Sequence, residues 1–222
     1  MITVVTAVAG GKDHIRNEQT KGDAKWVAFT ERPFISDVWE QRIVYDRFTS
    51  PRRNSRIHKI LIHQYVETKY SIWIDANIKL LIPPEEIVER YLKDHDIMVF
   101  AHPRRNCIYD EAMTCCKMGL DNVETIIEQV KTYEARGYGK HRGLGECGLI
   151  VRRHTAKVEQ FNNAWWSEHC RHSVRDQISF KYALDRVGLE ANLVRKDWKF
   201  NSSEATRGDV LHIVPHLTPQ PE

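Results

Sequence analysis

The chain lacks most of the features that would assign it to a class directly. Its five cysteines (Cys107, Cys115, Cys116, Cys147 and Cys170) are odd in number, include an adjacent pair and contain no Cys-x-x-Cys, so the spacing suggests neither a disulfide framework nor a zinc site. A reducing compartment is the simplest setting for them, and a cytoplasmic protein is expected. No long hydrophobic run is present. The apolar start Ile2–Ala9 is too short to span a bilayer and has no basic leader, so it reads as a first strand rather than a signal. No integral membrane segment is therefore expected, and the sequon Asn201-Ser202-Ser203 carries no functional message in a cytosolic chain. Charge of one sign is also scarce. A net charge of +3 argues against a general nucleic-acid binder, whose affinity rests on a dense basic surface. Internal repeats, low-complexity tracts, linkers, Gly-x-Gly-x-x-Gly and Walker patterns are all missing.

What is present suits one large domain. Of 222 residues 41% are hydrophobic and 28% charged, enough for a substantial core without staples. Short β-rich apolar runs alternate with helical patterns, the signature of an α/β sheet with covered faces. The expected strands are 2–9, 25–30, 42–46, 71–75, 96–101 and 146–152. Expected helices cover 55–66, about 85–93 after Pro83 and Pro84, and 122–136, where Val123, Ile126, Ile127, Val130 and Tyr133 make one apolar stripe. A further helix begins near Ser173, and the domain is expected to occupy 1–214 with a frayed tail over 215–222.

The most informative run is Tyr70-Ser71-Ile72-Trp73-Ile74-Asp75-Ala76-Asn77, a buried strand ending in one acid. A hard cation bridging a diphosphate needs only one or two protein oxygens, and Asp75 with Asn77 supplies both. The alternative is a turn cap at Asp75 beside an Asn that tolerates an awkward backbone. Gly10-Gly11-Lys12-Asp13 follows the first strand, where a nucleotide would meet Thr6, Ala7 and Val8; two glycines after a strand are equally a plain turn. Pro51-Arg52-Arg53-Asn54-Ser55-Arg56-Ile57-His58-Lys59 sets Arg52, Arg53, Arg56 and Lys59 at a helix start, opposed to the local dipole, which favours anion binding over a solvated face. His102 and Arg105 leave the strand at 96–101 towards the same sheet edge as Asp75, where they could hold sugar hydroxyls or phosphate; Arg104 and Glu111 also suit surface pairing. Gly145-Glu146-Cys147-Gly148 is a small-residue bend, with Glu146 as its carboxylate. Ser173 as N-cap and Asp176 in the first turn form a good structural pair, and Asp176 with Gln177 also suits hydrogen bonding to substrate. On that second reading Asp176→Asn lowers turnover at unchanged melting temperature.

Tyr-Ser-Ile-Trp-Ile-Asp-Ala at 70–76, His-x-x-Arg with Tyr-Asp-Glu-Ala at 102–112, Gly-Glu-Cys-Gly at 145–148 and Arg-Asp-Gln-Ile-Ser-Phe at 175–180 together resemble a glycosyltransferase-like family typified by plant mucilage-biosynthesis proteins. The resemblance spans roughly residues 1–185. It implies a GT-A-like (Rossmann-like) domain with a mixed, mostly parallel central sheet flanked by helices, and Asp75 and Ala76 at the metal and diphosphate position. It also implies hexosyl or deoxyhexosyl transfer from a nucleotide diphosphate sugar, with UDP the expected nucleotide, to a glycan, glycoprotein or other hydroxyl acceptor. Mn2+ or Mg2+ would assist, with Asp75, Asn77 and a later histidine, His212 or His216, as ligands; the other reading of His212 is a core position. Asp176, Glu146, Gln177 and His102 are the catalytic candidates. Two departures stand out: Asn77 occupies the place of the second acid of an Asp-x-Asp pair, and no membrane anchor of the kind common among Golgi relatives is expected. The alternatives are a nucleotidyltransferase, and a binding module that kept the pocket and lost turnover.

Overall fold

The computed structural model describes every residue except 12, 45, 202, 203 and 216–222, with backbone alone at 200 and 201. Lys12, His216 and most of the expected tail thus lie outside the described residues. The first strand, β1 (Ile2–Val8), is buried along nearly its whole length, as a β-branched run covered on both faces should be. It pairs in parallel with β2 (Lys25–Thr30) and β4 (Tyr70–Ile74), while β3 (Glu40–Ile43) extends the sheet in parallel beyond β2. A short β5 (Ile78–Leu80) follows β4. Next in the chain come β6 (Ile97–Ala101), β7 (Gly145–Arg153) and β8 (Asn192–Val194). β7 lies antiparallel between β4 and β6, and β8 closes the far edge parallel to β6. The resulting order β3-β2-β1-β4-β7-β6-β8 is the expected mixed, mostly parallel sheet.

Alternation along the strands divides the core in two. Val4, Ile72 and Ile74 face one cluster with Leu149 and Val151, whereas Val5, Trp73 and Ile150 face another. The second cluster is covered by α1 (Pro51–Ile60), α5 (Ala156–Arg171) and α6 (Asp176–Val187) through Ile60, Phe161, Trp165 and Phe180. The first takes α2 (Pro84–Ile87), which runs into a π-helical turn at Val88–Leu92. A third cluster joins α6 to α3 (Ile108–Lys117) and α4 (Val123–Ala135). Ile126 and Tyr133 of the expected stripe are fully buried there, but Val123, in the first turn, is 47% exposed.

Two helix starts differ from the sequence reading. Expected from residue 55, α1 begins at Pro51, because Ser50 caps it by accepting from the Arg53 amide and proline suits the first position. Expected near Ser173, α6 begins at Asp176, since the Ser173 hydroxyl instead donates to Asp121 and accepts from the Arg175 amide. A small antiparallel sheet, unforeseen beyond 185, is built from β5, β9 (Trp198–Asn201), β10 (Glu204–Arg207) and β11 (Leu211–Ile213) in the order β5-β11-β10-β9. It roofs the end of the main sheet where β7 shifts register against β6, Phe100 facing Glu146 one step after Val99 faces Ile150. Such a bulge re-aims side chains. Here it sets Cys147 and Gly148 between two cavities and Glu146 in one of them.

Candidate functional site

At the carboxyl ends of β1 and β4 lies a cavity of about 630 Å³. Positions 52, 55, 56 and 59 fall on one face of α1 by helical spacing, so Arg52, Ser55, Arg56 and Lys59 all line it. Ala7 and Val8 end β1 against it, Asp75 and Ala76 leave β4 into it, and Asp176 and Gln177 enter from the first turn of α6. Segments far apart in the chain thereby converge.

At the centre is a four-charge cluster. Lys59 Nζ is 2.5 Å from Asp176 Oδ2 and 3.5 Å from Asp75 Oδ1, with its side chain 1% exposed. Arg56 places Nε 3.1 Å from Asp176 Oδ2 and Nη1 3.7 Å from Asp75 Oδ1. The indole N–H of Trp73, itself wholly buried in β4, donates to Asp75 Oδ1 at 2.8 Å and fixes that carboxylate. Burial alone would raise the pKa of Asp176, but Lys59 and then Arg56 override it and hold the carboxyl far below its ordinary range. A locked carboxylate of this kind is a poor proton acceptor. Arg56 shows the converse: burial opposes its charge, and Asp176 and Asp75 outweigh it and raise its pKa. Arg52 is lowered, by burial and then by the like charges of Arg175 and Arg56. Arg52 donates to the Leu120 carbonyl at 2.8 Å, and the guanidiniums crowded at this rim favour an incoming anion.

A second cavity of about 320 Å³ shares Cys147, Gly148, Arg175 and Gln177 with the first. Glu146, His102 and Arg105 line it together with Glu111 and Trp198. Burial raises Glu146 to about 7, against the pull of Arg207 and Trp198. Arg207 pairs with Glu146, donates to the Ala101 carbonyl at 2.7 Å and lies between the rings of Phe100 and Trp198, 4.5 and 4.8 Å from their centroids. Its anchor on β10 keeps Glu146 in place. Arg105 Nε donates to Glu111 at 2.7 Å, and His102 Nδ1 accepts from the amides of Arg104 and Arg105, so both are tied into their own loop. Burial and then Arg105 lower the His102 pKa.

Other candidates are held elsewhere. Thr6 is buried inside β1 without lining either cavity. Arg53 donates to the carbonyls of Cys170 and His172 at the end of α5. The Asn77 amide donates to the Val214 carbonyl at 3.0 Å, and His212 on β11 pairs with Glu204 at 2.9 Å. Neither Asn77 nor His212 lines the cavity that holds Asp75. Of the expected cation ligands Asp75, Asn77 and His212, this cavity therefore keeps Asp75, whose Oδ2 is 3.8 Å from where a Cβ on Gly148 would sit, with Asp13 on the same wall. One carboxylate suffices for a hard cation whose remaining ligands are phosphate oxygens and water. Gly145, by contrast, is small for packing: a Cβ there would meet Val99 at 2.7 Å and Phe180 at 3.3 Å. Gly10 turns with φ 72 and donates its amide to Glu31.

Arg175, Asp13, Arg207 and Trp198 are site residues that sequence reasoning did not single out. The first two lie inside quoted motifs without having been given a role. Arg207 is 61 residues from Glu146, and only the second sheet brings it back.

A model of the TOD1/MUCI70, glycosyltransferase-like domain matches residues 3–210. A probable hexosyltransferase, MUCI70 of Arabidopsis thaliana, is 28% identical over 167 residues, covering 70% of this chain and 29% of that protein. An alkaline ceramidase, TOD1 of the same plant, is 27% identical over 158 residues, covering 66% of this chain and 34% of its own length. The chain thus spans about a third of these relatives. Among solved structures, the bifunctional glycosyltransferase WbbM in its apo form aligns with TM-score 0.49 and 10% identity over 87% of this chain and 38% of its own.

Proposed function

Because this chain belongs to the TOD1/MUCI70 glycosyltransferase-like family, we propose that it transfers a hexosyl group from a nucleotide diphosphate sugar to a hydroxyl acceptor. The observation that carries this reading is the meeting of Lys59, Arg56, Arg52 and Arg175 in one cavity at the strand ends. In the proposed arrangement the nucleotide lies along the end of β1 by Ala7 and Val8, and its diphosphate takes the rim guanidiniums, where fixed positive charge stabilises the departing phosphate. Asp75 is the residue that would hold a Mn2+ or Mg2+ ion, which when bound neutralises diphosphate charge. Lys59 and Arg56 provide fixed positive charge from the chain itself and stay pinned by Asp176 while they do so.

The second cavity would take the acceptor. Glu146 has its pKa near neutrality and sits across the shared wall, so it is the carboxylate suited to remove the acceptor proton. Gln177, held by donating to the Gly145 carbonyl at 3.2 Å, orients the sugar between the two cavities. Direct displacement assisted by Glu146 inverts the anomeric centre.

Calorimetry with UDP and a hydrolysis assay with UDP-hexose plus manganese test the proposal. Arg52→Ala should weaken UDP binding roughly 10- to 150-fold, the 1.5–3 kcal/mol of one hydrogen bond to a charged group. Ceramide is run in parallel because one relative is named a ceramidase. Release of fatty acid without nucleotide binding would overturn the reading.

A further inference from the structure

Cys107, Asp110 and His141 line neither cavity, yet the Cys107 thiol, a carboxylate oxygen of Asp110 and an imidazole nitrogen of His141 lie within 4.8 Å of one another. We propose that these three side chains bind a borderline-soft divalent cation, zinc being the ion they fit. Cys107 is the N-cap residue of α3 and Asp110 is three positions on, so the first turn brings sulfur and carboxylate to the same side. The sulfur makes no capping bond at that helix start. The third ligand comes from the loop before β7. His141 Nδ1 is 2.8 Å from Asn106 Oδ1; donating its proton to that oxygen leaves the lone pair on Nε2. A ligating histidine whose other nitrogen is held in this way is the usual outer-shell arrangement. The backbone carbonyl of Asn106 accepts the Gly143 amide at 2.9 Å, which fixes the loop to the start of α3.

The donor set selects the metal. One thiolate, one imidazole and one carboxylate suit zinc, with bonds of about 2.3, 2.0–2.1 and 2.0–2.2 Å, whereas magnesium and calcium take oxygen alone. Tetrahedral edges for those bonds are roughly 3.3–3.7 Å, so the ligand atoms need to close by about 1 Å around the ion. Cys107 is 1% exposed while Asp110 and His141 face solvent, which leaves the fourth position to water. Linear spacing hid the cluster, because the histidine follows Cys107 by 34 positions. Its bound ion would brace the second cavity, tying α3, which carries Glu111 and Thr114, to the loop that leads into Glu146.

Protein stripped with a chelator is titrated with Co2+ and then with Zn2+ in weakly buffered solution. The expected result is one equivalent bound, a thiolate-to-cobalt charge-transfer band in the near ultraviolet, displacement by zinc, and release of about one proton per metal from the thiol. Cys107→Ser should abolish the band, and His141→Gly should weaken zinc at least tenfold. The glycine variant also relieves the left-handed backbone at His141 (φ 59), so its loss of affinity does not come from misfolding. Zinc should raise the melting temperature of the unaltered chain and of neither variant. A cobalt spectrum that survives Cys107→Ser, or zinc affinity no tighter than millimolar in the unaltered chain, would overturn the assignment.

Discussion

Replacing Asp176 by Asn removes one charge from a largely buried group of four and tests whether that carboxylate caps a helix or anchors two cations. As a first-turn acid alone it would contribute roughly 0.3–1 kcal/mol. The geometry requires more. Lys59 is 1% exposed and 2.5 Å from Asp176, and the part-buried Arg56 is 3.1 Å away, so a neutral amide in place of Asp176 would leave both cations facing Asp75 alone. Truncating one partner of a buried pair costs roughly 3–5 kcal/mol. Asp75, 28% exposed and within 3.7 Å of both cations, softens the loss to the lower end, about 3 kcal/mol. For a chain of this length that is roughly a 6–12 °C fall in melting temperature, where the sequence alone led to an expectation of unchanged melting. The pH dependence gives an independent check. Because the folded state depresses this carboxyl below its ordinary value of 3.8, its contribution is complete above that value and is lost as the pH falls towards the folded pKa. Urea unfolding of both proteins at pH 7 and pH 3 should therefore show a gap that narrows in acid. A difference under about 1 kcal/mol at pH 7, or one independent of pH, would refute the anchoring role.

Glu146, raised to about 7 by burial, should give kcat/KM an ascending limb through that pH, and Glu146→Gln should abolish the limb and lower kcat by roughly a hundredfold or more; a mutant that keeps the limb would remove Glu146 from proton transfer. The same raised pKa makes Glu146 a destabilising group at high pH: the stability it lends is full below its ordinary 4.5 and is lost as pH rises through 7, so Glu146→Gln should flatten the unfolding free energy between those values. Gly145→Ala, whose Cβ would stand 2.7 Å from Val99, should cost about 1–3 kcal/mol by overpacking in a denaturant series, and a neutral result would mean that β6 and α6 give way freely.

How much of this was legible in the sequence depends on whether the signal was local. The runs at 2–8, 25–30 and 70–74 are buried strands because β-branched and aromatic residues leave few other options, and they appear almost as read. The α1 cations were legible because positions 52, 56 and 59 share a helix face, and the helix that carries them starts where Ser50 and Pro51 dictate. Partner choice was not legible. Arg53 resembles its neighbours in the sequence yet reaches the end of α5, 117 residues away, and Asn77, which completes an acid-like frame, turns its amide to Val214. The same limit governs the two carboxylates. Asp176 and Glu146 both stood as catalytic candidates, with Asp176 read as suited to hydrogen bonding, and the size of their difference arises from what the chain returns to each: Lys59 and Arg56 hold one ionised, while burial behind the bulge of β7 leaves the other near neutrality despite Arg207. Two acids pushed to opposite ends of their range can divide the work, one fixing positive charge and one exchanging a proton. That division belongs to the register shift between Val99 and Phe100 and to the second sheet that carries Arg207, neither of which leaves a periodic trace in the sequence.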